Sequence, residues 1–339
     1  MAPARLKSAV TLKDIAEHAG VSVMTVSLAL RESSELTEAT RQRVQKAAIA
    51  LGYMPNLFAR AFGERRNPTI GVVVHDLSYP FFVPIIRQIQ EAADAAGFLV
   101  VLAETKRALS AERQIVERLR QFRVMGIAVH PATRSYDHLN EARQDGTPVI
   151  SFARQWRGGD SVAVDNVAGG AVAARHLLKR GFRRIGLITS SDPDNLPLLE
   201  REEGFVNALS IESVTIPARW RFTALGTDFE DGQRAAEILI SQGESPRAVF
   251  CVNDRLSLGF INRCRQLGLH VPEEIAVVGF DDIAFAAYSE VSLTTIALPA
   301  DRIGKHVAEL LFARIAGRGP SEVVQKALKP ELIVRRSSP

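Results

Sequence analysis

The stretch Thr11–Leu30, TLKDIAEHAGVSVMTVSLAL, carries the periodicity of an amphipathic helix that a glycine interrupts. Leu12, Ile15, Ala16 and Ala19 share one helical face, and Val26, Ala29 and Leu30 would continue it. Gly20 stands between the two sets, where a helix interior disfavours it and a left-handed turn welcomes it. Thr11 followed by Asp14 reads as a capped helix start, and Ser22 reads as a second one. Two short helices joined by a glycine turn form a helix-turn-helix pattern. The bland alternative is an αα-hairpin used only for packing.

Working outward, Thr37 caps a third helix whose stripe is Val44, Ala47, Ala48 and Leu51, and Gly52 ends it. Ile15, Ala16, Val21, Val26, Leu36, Val44 and Leu51 are the expected small core. That leaves Val23, Met24, Ser27 and Leu28 on a free face of the second helix. Small hydroxyls there suit phosphate contacts. A short helix over Pro55–Gly63 follows, basic at Arg60, Arg65 and Arg66, and Asn67-Pro68 stops it. Charge agrees with a nucleic-acid partner: residues 1–67 hold 10 Lys and Arg against 6 Asp and Glu, so the whole net charge of +4 arises there.

From residue 70 onward, short apolar runs alternate with helical patterns. The runs are Ile70–Val74, Leu99–Ala103, Gly126–His130, Val149–Phe152, Ile185–Thr189, Ala248–Val252 and Ile275–Gly279. This is repeated βαβ, hence parallel sheets covered by helices, and it is too long for one core. Ligands of such sheets bind beyond the carboxyl ends of the strands. His75, Asp76, Phe81 and Phe82 follow the first strand, Asn253 and Asp254 a later one, and Asp281 and Asp282 another. Arg201 is expected at the start of a facing helix. Carboxylates and amides accept hydroxyl hydrogens, arginine donates a fork, and aromatic faces cover a ring. Strand-end Asp and Asn equally serve as caps of the next helix.

Seven blocks carry a resemblance: TLKDIAEHAGVSVMTVS, TRQRVQKAAIALGYMPN, IGVVVHDLSYPFF, VDNVAGGAVAARHLLKRGFRRIGLI, FCVNDRLSLGF, IAVVGFDD and LTTIALPADRIG. In this order they resemble the LacI family of bacterial transcriptional regulators from end to end. The resemblance implies a helix-turn-helix domain over 1–54, a hinge helix and linker over 55–67, and a two-lobed, periplasmic-binding-protein-like domain over 68–339. It places chain crossings between the lobes near Ala163, Ile296 and Gln325. It implies a homodimer on near-palindromic double-stranded operator DNA, with a sugar or related metabolite bound between the lobes as effector.

Residue by residue, the DNA-binding positions are Thr11, Ser22, Val23, Met24, Thr25, Ser27, Leu28, Arg31, Tyr53, Asn56, Arg60 and Phe62. Arg201, Asn253 and Asp281 match effector-binding positions, and His75, Phe81 and Phe82 join them as strand-end candidates. Leu28 departs from the usual Arg, and Phe62 from the usual minor-groove Leu. Ala153 and Leu298 stand where polar groups are common, which makes the cleft less polar than a standard sugar site. Leu28 could instead turn inward to complete the head's core.

No cofactor, metal site or enzymatic motif is expected, since there is no G-x-S-x-G, P-loop, H-E-x-x-H or dinucleotide fingerprint. Gly169-Gly170 is expected at a helix start, for packing. With no apolar leader and two cysteines read as buried thiols, a cytoplasmic, nucleoid-associated protein is expected. The chain's end at Pro339 leaves no heptad tail, which favours a dimer. A solute-binding protein of the same two-lobed fold is the alternative, but it has no use for residues 1–67.

Overall fold

The computed structural model describes residues 10–30, 35–53, 67–241, 244–288, 290 and 292–339. It divides into two compact units, Met1–Asn67 and Pro68–Pro339.

The first unit contains helices α1 (Leu12–Ala19), α2 (Val23–Leu30) and α3 (Glu38–Ala50). Its buried core is rich in alanine: Ile15, Ala16, Ala19, Val26, Ala29, Val44, Ala47 and Ala48. Val21, Leu36 and Leu51, expected inside, are only partly buried at its rim. Helices this short turn one narrow stripe inward, so residues in the turns seal edges. Gly20 adopts φ +65°, and its N–H and that of Val21 reach back to carbonyls of α1. The break is therefore a left-handed helix stop that a Cβ would oppose.

The second unit has two six-stranded sheets. One lobe contains β1 (Asn67–Val74), β2 (Leu99–Glu104), β3 (Val124–Val129), β4 (Val149–Phe152), β5 (Asp160–Val164) and β11 (Gln325–Leu328), in the order β11-β5-β4-β3-β1-β2. The other contains β6 (Ile185–Ser190), β7 (Arg221–Ala224), β8 (Ala248–Cys251), β9 (Ala276–Asp281), β10 (Thr294–Ala297) and β12 (Glu331–Ile333), in the order β12-β10-β9-β8-β6-β7. Pairing is parallel except where β12 runs against β10. Helices α4 (Phe82–Ala95), α5 (Leu109–Gln121), α6 (Asp137–Gln144) and α12 (Ala300–Ile315) go with the first lobe. Helices α7 (Asn166–Lys179), α8 (Leu196–Ile211), α9 (Phe229–Ser241), α10 (Asp254–Gln266) and α11 (Ala284–Tyr288) go with the second.

The chain passes between lobes at Asp165, at Leu298–Pro299 and at Lys329–Pro330. The third passage follows β11 directly, after Gln325–Leu328 pair with Ser161–Val164 in the first lobe. Arg201 is inside α8 and does not begin it; the helix starts at Leu196 with Pro197 in its first turn. Gly169-Gly170 does serve packing. A Cβ on Gly170 would sit 2.0 Å from the Arg201 carbonyl oxygen, and one on Gly204 would sit 1.9 Å from that of Val167. Cys251 and Cys264 are buried free thiols, the latter pushed up to about 12 by burial.

Candidate functional sites: a nucleic-acid reading face and an interlobe cleft

The reading face is organised by two caps. Thr11 and Asp14 form a reciprocal capping box, with Thr11 N donating to Asp14 Oδ2 at 2.7 Å and Asp14 N to Thr11 Oγ1 at 3.4 Å. Thr25 N donates to Ser22 Oγ at 3.0 Å, and the two hydroxyls lie 2.9 Å apart. Val23 and Met24, 45% and 73% exposed, project outward at the start of α2. Ser27 and Leu28 are partly buried, while Val26 and Ala29 point inward. Leu28 is not among the side chains packed on the head's core. Tyr53 does pack against that core, and its N–H closes α3 on Ala48 O at 2.9 Å. Arg31, Asn56, Arg60 and Phe62, and the expected hinge helix, lie outside the described residues.

In the second unit, strand ends of both lobes converge as expected. His75, Phe81, Phe82, Arg201, Asn253 and Asp281 line one cavity of about 40 Å³. Ala153 and Leu298, the two apolar departures, line it too. Arg201 anchors it: Nη1 lies 2.9 Å from Asp281 Oδ1 and donates to Val252 O at 2.8 Å. Its Nε donates to Asn166 Oδ1 at 3.1 Å, and its guanidinium stacks 3.9 Å over Phe280. The contact with Asp281 Oδ1 is an ion pair not aligned as a hydrogen bond, so that oxygen keeps its accepting capacity. Burial raises the Asp281 carboxyl above the usual range, with Arg201 opposing.

Asn253 is also a helix cap, accepting from Leu256 N at 2.8 Å and donating to Thr227 O at 3.0 Å. Asp254 does not face the cavity. Fully buried, it accepts from Ile283 N at 2.9 Å and Thr295 Oγ1 at 2.6 Å, which pins the loop after β9. Asp282 pairs with Arg335 at 2.7 Å.

Sequence reasoning missed five further cavity residues that bear hydrogen-bonding groups: Tyr79, Arg107, His130, Asn166 and Asn195. His75, Phe82 and His130 form an aromatic cluster with centroids 4.9–5.1 Å apart. His130 Nδ1 lies 3.0 Å from Phe152 O, so it is the protonated ring nitrogen. Burial drives His130 down to about 3 and His75 well below its ordinary value, with nearby arginines adding to both. Both rings are neutral. Lys106, Arg107, Ala153, Asp281 and Asp282 all hold positive φ, so the cleft is edged by strained non-glycine backbone.

The lobes are latched. Tyr79 Oη donates to Asp281 Oδ2. Arg255, on α10, reaches Asp76 Oδ2 at 3.1 Å and Ser78 O at 2.6 Å in the first lobe, and its guanidinium lies 4.7 Å over Tyr79. Arg154 returns the connection with a 2.9 Å bond to Asp194 O. A second cavity, of about 220 Å³, adjoins along the crossing strands and shares Val164, Asn166 and Pro197.

Residues 11–56 match the family of bacterial regulatory proteins of the lacI type, and residues 174–338 match a periplasmic binding protein-like domain. The chain is 32% identical to the HTH-type transcriptional repressor PurR of Photobacterium profundum, over 96% of this chain and 98% of that one. This chain belongs to the LacI family. Another member, the repressor CytR of Escherichia coli K12, is 32% identical over 98% of this chain and 97% of its own. Among solved structures, the regulator CelR in complex with cellobiose is similar at TM-score 0.72 and 29% identity, covering 97% of this chain and 99% of CelR. The lac repressor dimer on operator shares the fold at TM-score 0.85 and 24% identity, covering 98% and 99%. LacI-family regulators join a DNA-binding head to an effector domain, and the two sites above occupy those two parts. Among the described residues, no cluster suited to a metal ion occurs and no helix is long and apolar enough to cross a membrane.

Proposed function

We propose that this LacI-family regulator represses transcription as a homodimer on a near-palindromic operator, and that a small molecule held between its lobes sets operator affinity. The convergence of Arg201, Asp281, Asn253 and His75 on one interlobe cavity carries the effector half of this reading. The exposed Val23 and Met24, beside Ser22, Thr25, Ser27 and Leu28, support α2 as the groove-reading helix, with backbone contacts from Thr11, Tyr53, Arg31, Asn56 and Arg60 and bending at Phe62. A surface groove of about 460 Å³ lined by Phe229, Leu258, Ile261, Phe285 and Tyr288 supports the dimer. An exposed apolar face of this kind suits a second copy of the chain. The protein acts by binding and not by catalysis, in the cytoplasm at the nucleoid. The effector is a sugar or related metabolite; CelR, similar across its whole length, binds cellobiose. A solute-binding role does not account for the head at residues 11–56.

Selection of operator sequences from random DNA, followed by titration with metabolites, tests the reading. Arg201→Ala and Asp281→Ala should each abolish the response to effector while leaving operator affinity within a few-fold. A variant that still responds normally removes that residue from the site, and a full-length protein that selects no sequence overturns the regulator reading.

A further inference from the structure

The charges lining the interlobe cavity do not cancel. Arg201 and Asp281 neutralise each other's charge at 2.9 Å, and His75 and His130 are neutral. Arg107 remains. Among the described residues it has no hydrogen-bond or ion-pair partner; Asp192 and Asp76 act on it only at a distance. Its backbone explains why it is there. Lys106 and Arg107 take φ of 50° and 62° in succession, a left-handed pair without glycine that turns the chain after β2 back over the cavity. Such strain persists where surrounding structure or function holds it.

A second observation points to the same place. Both ring nitrogens of His75, 5% exposed, lack a hydrogen-bond partner, and Asp281 Oδ1 is unsatisfied as well. Buried polar groups without partners are costly, so a wall carrying several is shaped for something that pairs with them. Tyr79, Phe81 and Phe82 supply an aromatic face next to these groups. Leu298 and Ala153 line the same cavity without a polar group to offer a neutral polyol.

We infer that the effector carries an anionic group, a carboxylate or a phosphate on a ring-shaped body, and that Arg107 receives it. This rests on the effector-binding reading of the cleft and narrows it to a charge class. The guanidinium fork matches a carboxylate or phosphate bidentately. The imidazole of His75 donates one hydrogen bond and accepts another from the ring's hydroxyl or amine groups, and Asp281 Oδ1 accepts a further one.

The test uses full-length protein and matched pairs: glucuronate against glucose, gluconate against sorbitol, ribose 5-phosphate against ribose, and inosine monophosphate against inosine. Melting shifts identify binders and calorimetry measures them. At least one anionic member should bind tenfold or more tighter than its neutral twin, and whether it is an acid or a phosphate ester separates the two sources. Arg107→Gln should lose that tenfold preference, and Arg107→Lys, which keeps the charge without the fork, should retain part of it. A neutral twin that binds equally, an unchanged preference in Arg107→Gln, or silence across all anionic probes overturns the assignment. Operator selection does not depend on it. A neutral compound that releases or recruits DNA would therefore overturn the anion assignment and leave the regulator reading standing.

Discussion

Leu28 and His130 show how much a single side chain's surroundings decide. The α2 pattern allowed Leu28 to face either inward or outward. Val26 and Ala29 take the core positions, and Leu28 is partly buried outside them. A leucine facing the groove would pack on a thymine methyl and offer no hydrogen bond, whereas an arginine would grip guanine O6 and N7 for about 1–3 kcal/mol of discrimination. Leu28→Arg should therefore shift a selected operator toward G at the facing position with its melting temperature nearly unchanged; an unaltered logo would place Leu28 off the DNA. His130 was invisible as a site residue because it ends an apolar run, where a histidine reads as strand filler. Its ring is neutral down to about 3, while the unfolded chain takes up a proton near 6.5. The unfolded state thus binds more protons below pH 6.5, and this ring withdraws up to about 1.4 kcal/mol of stability per pH unit below that point. Buried Asp254 and Asp281, whose carboxyls are raised, act in the opposite sense in any variant that keeps them. His130→Gln should lose stability at pH 7.5 yet fall less steeply between pH 7 and 5 in urea unfolding than the parent.

At the scale of elements, apolar runs revealed seven strands, the edge strand β2 among them, and strands interrupted by polar residues escaped. Val149–Phe152 matches its run to the residue because all four side chains are buried. By contrast β7 (RFTA) and β11 (QKAL) are edge strands with exposed residues, and β10 (TTIA) opens with two buried threonines, so none reads as a continuous apolar run. Helix α8 hid for another reason: its buried residues include Arg201 and Gly204 among scattered apolar ones, which blurs the stripe. Pro197 was the available signal for its start. The Gly170–Gly204 crossing between α7 and α8 fixes where Arg201 stands, since each glycine faces backbone of the other helix within 2.0 Å of an added Cβ. Backbone cannot swing aside as a side-chain tip can. Gly170→Ala should cost about 1–3 kcal/mol as overpacking and also weaken effector binding, because α8 carries Arg201. Gly232→Ala offers the control. It meets the Leu256 carbonyl at 2.1 Å in the α9–α10 crossing, so it should lose comparable stability without displacing Arg201. Equal effects of both on ligand affinity would remove the positional argument.

For the whole effector domain, sequence patterns located the strand ends but not how far the lobes close over them. Closure depends on residues that no periodicity marks: Tyr79, in the turn between β1 and α4, and Arg255, one position past the Asn253-Asp254 pair. Arg255 joins α10 to Asp76 and Ser78 of the facing lobe and stacks on Tyr79, while Asp76 also holds the turn by accepting from Ser78 N at 2.8 Å. A cavity of about 40 Å³ is far below the roughly 300 Å³ at which ligand sites begin, so the proposed effector site requires this latch to part. Lobe separation is then an equilibrium that the latch biases, and a ligand or operator shifts it only through unequal affinity for its two sides. Arg255 does not line the cavity, so replacing it tests the latch apart from the ligand contacts. Arg255→Met keeps the stem's packing and removes the bonds to Asp76 and Ser78. Amides across Asp76–Phe82 and Asn253–Ser257 should exchange hydrogen several-fold faster than in the parent, while those of β1 and β9 stay protected. Uniform acceleration over the whole domain would mean that Arg255 supports the fold and not the closure, and no acceleration would mean that Tyr79, Asp281 and Arg154 hold the lobes without it.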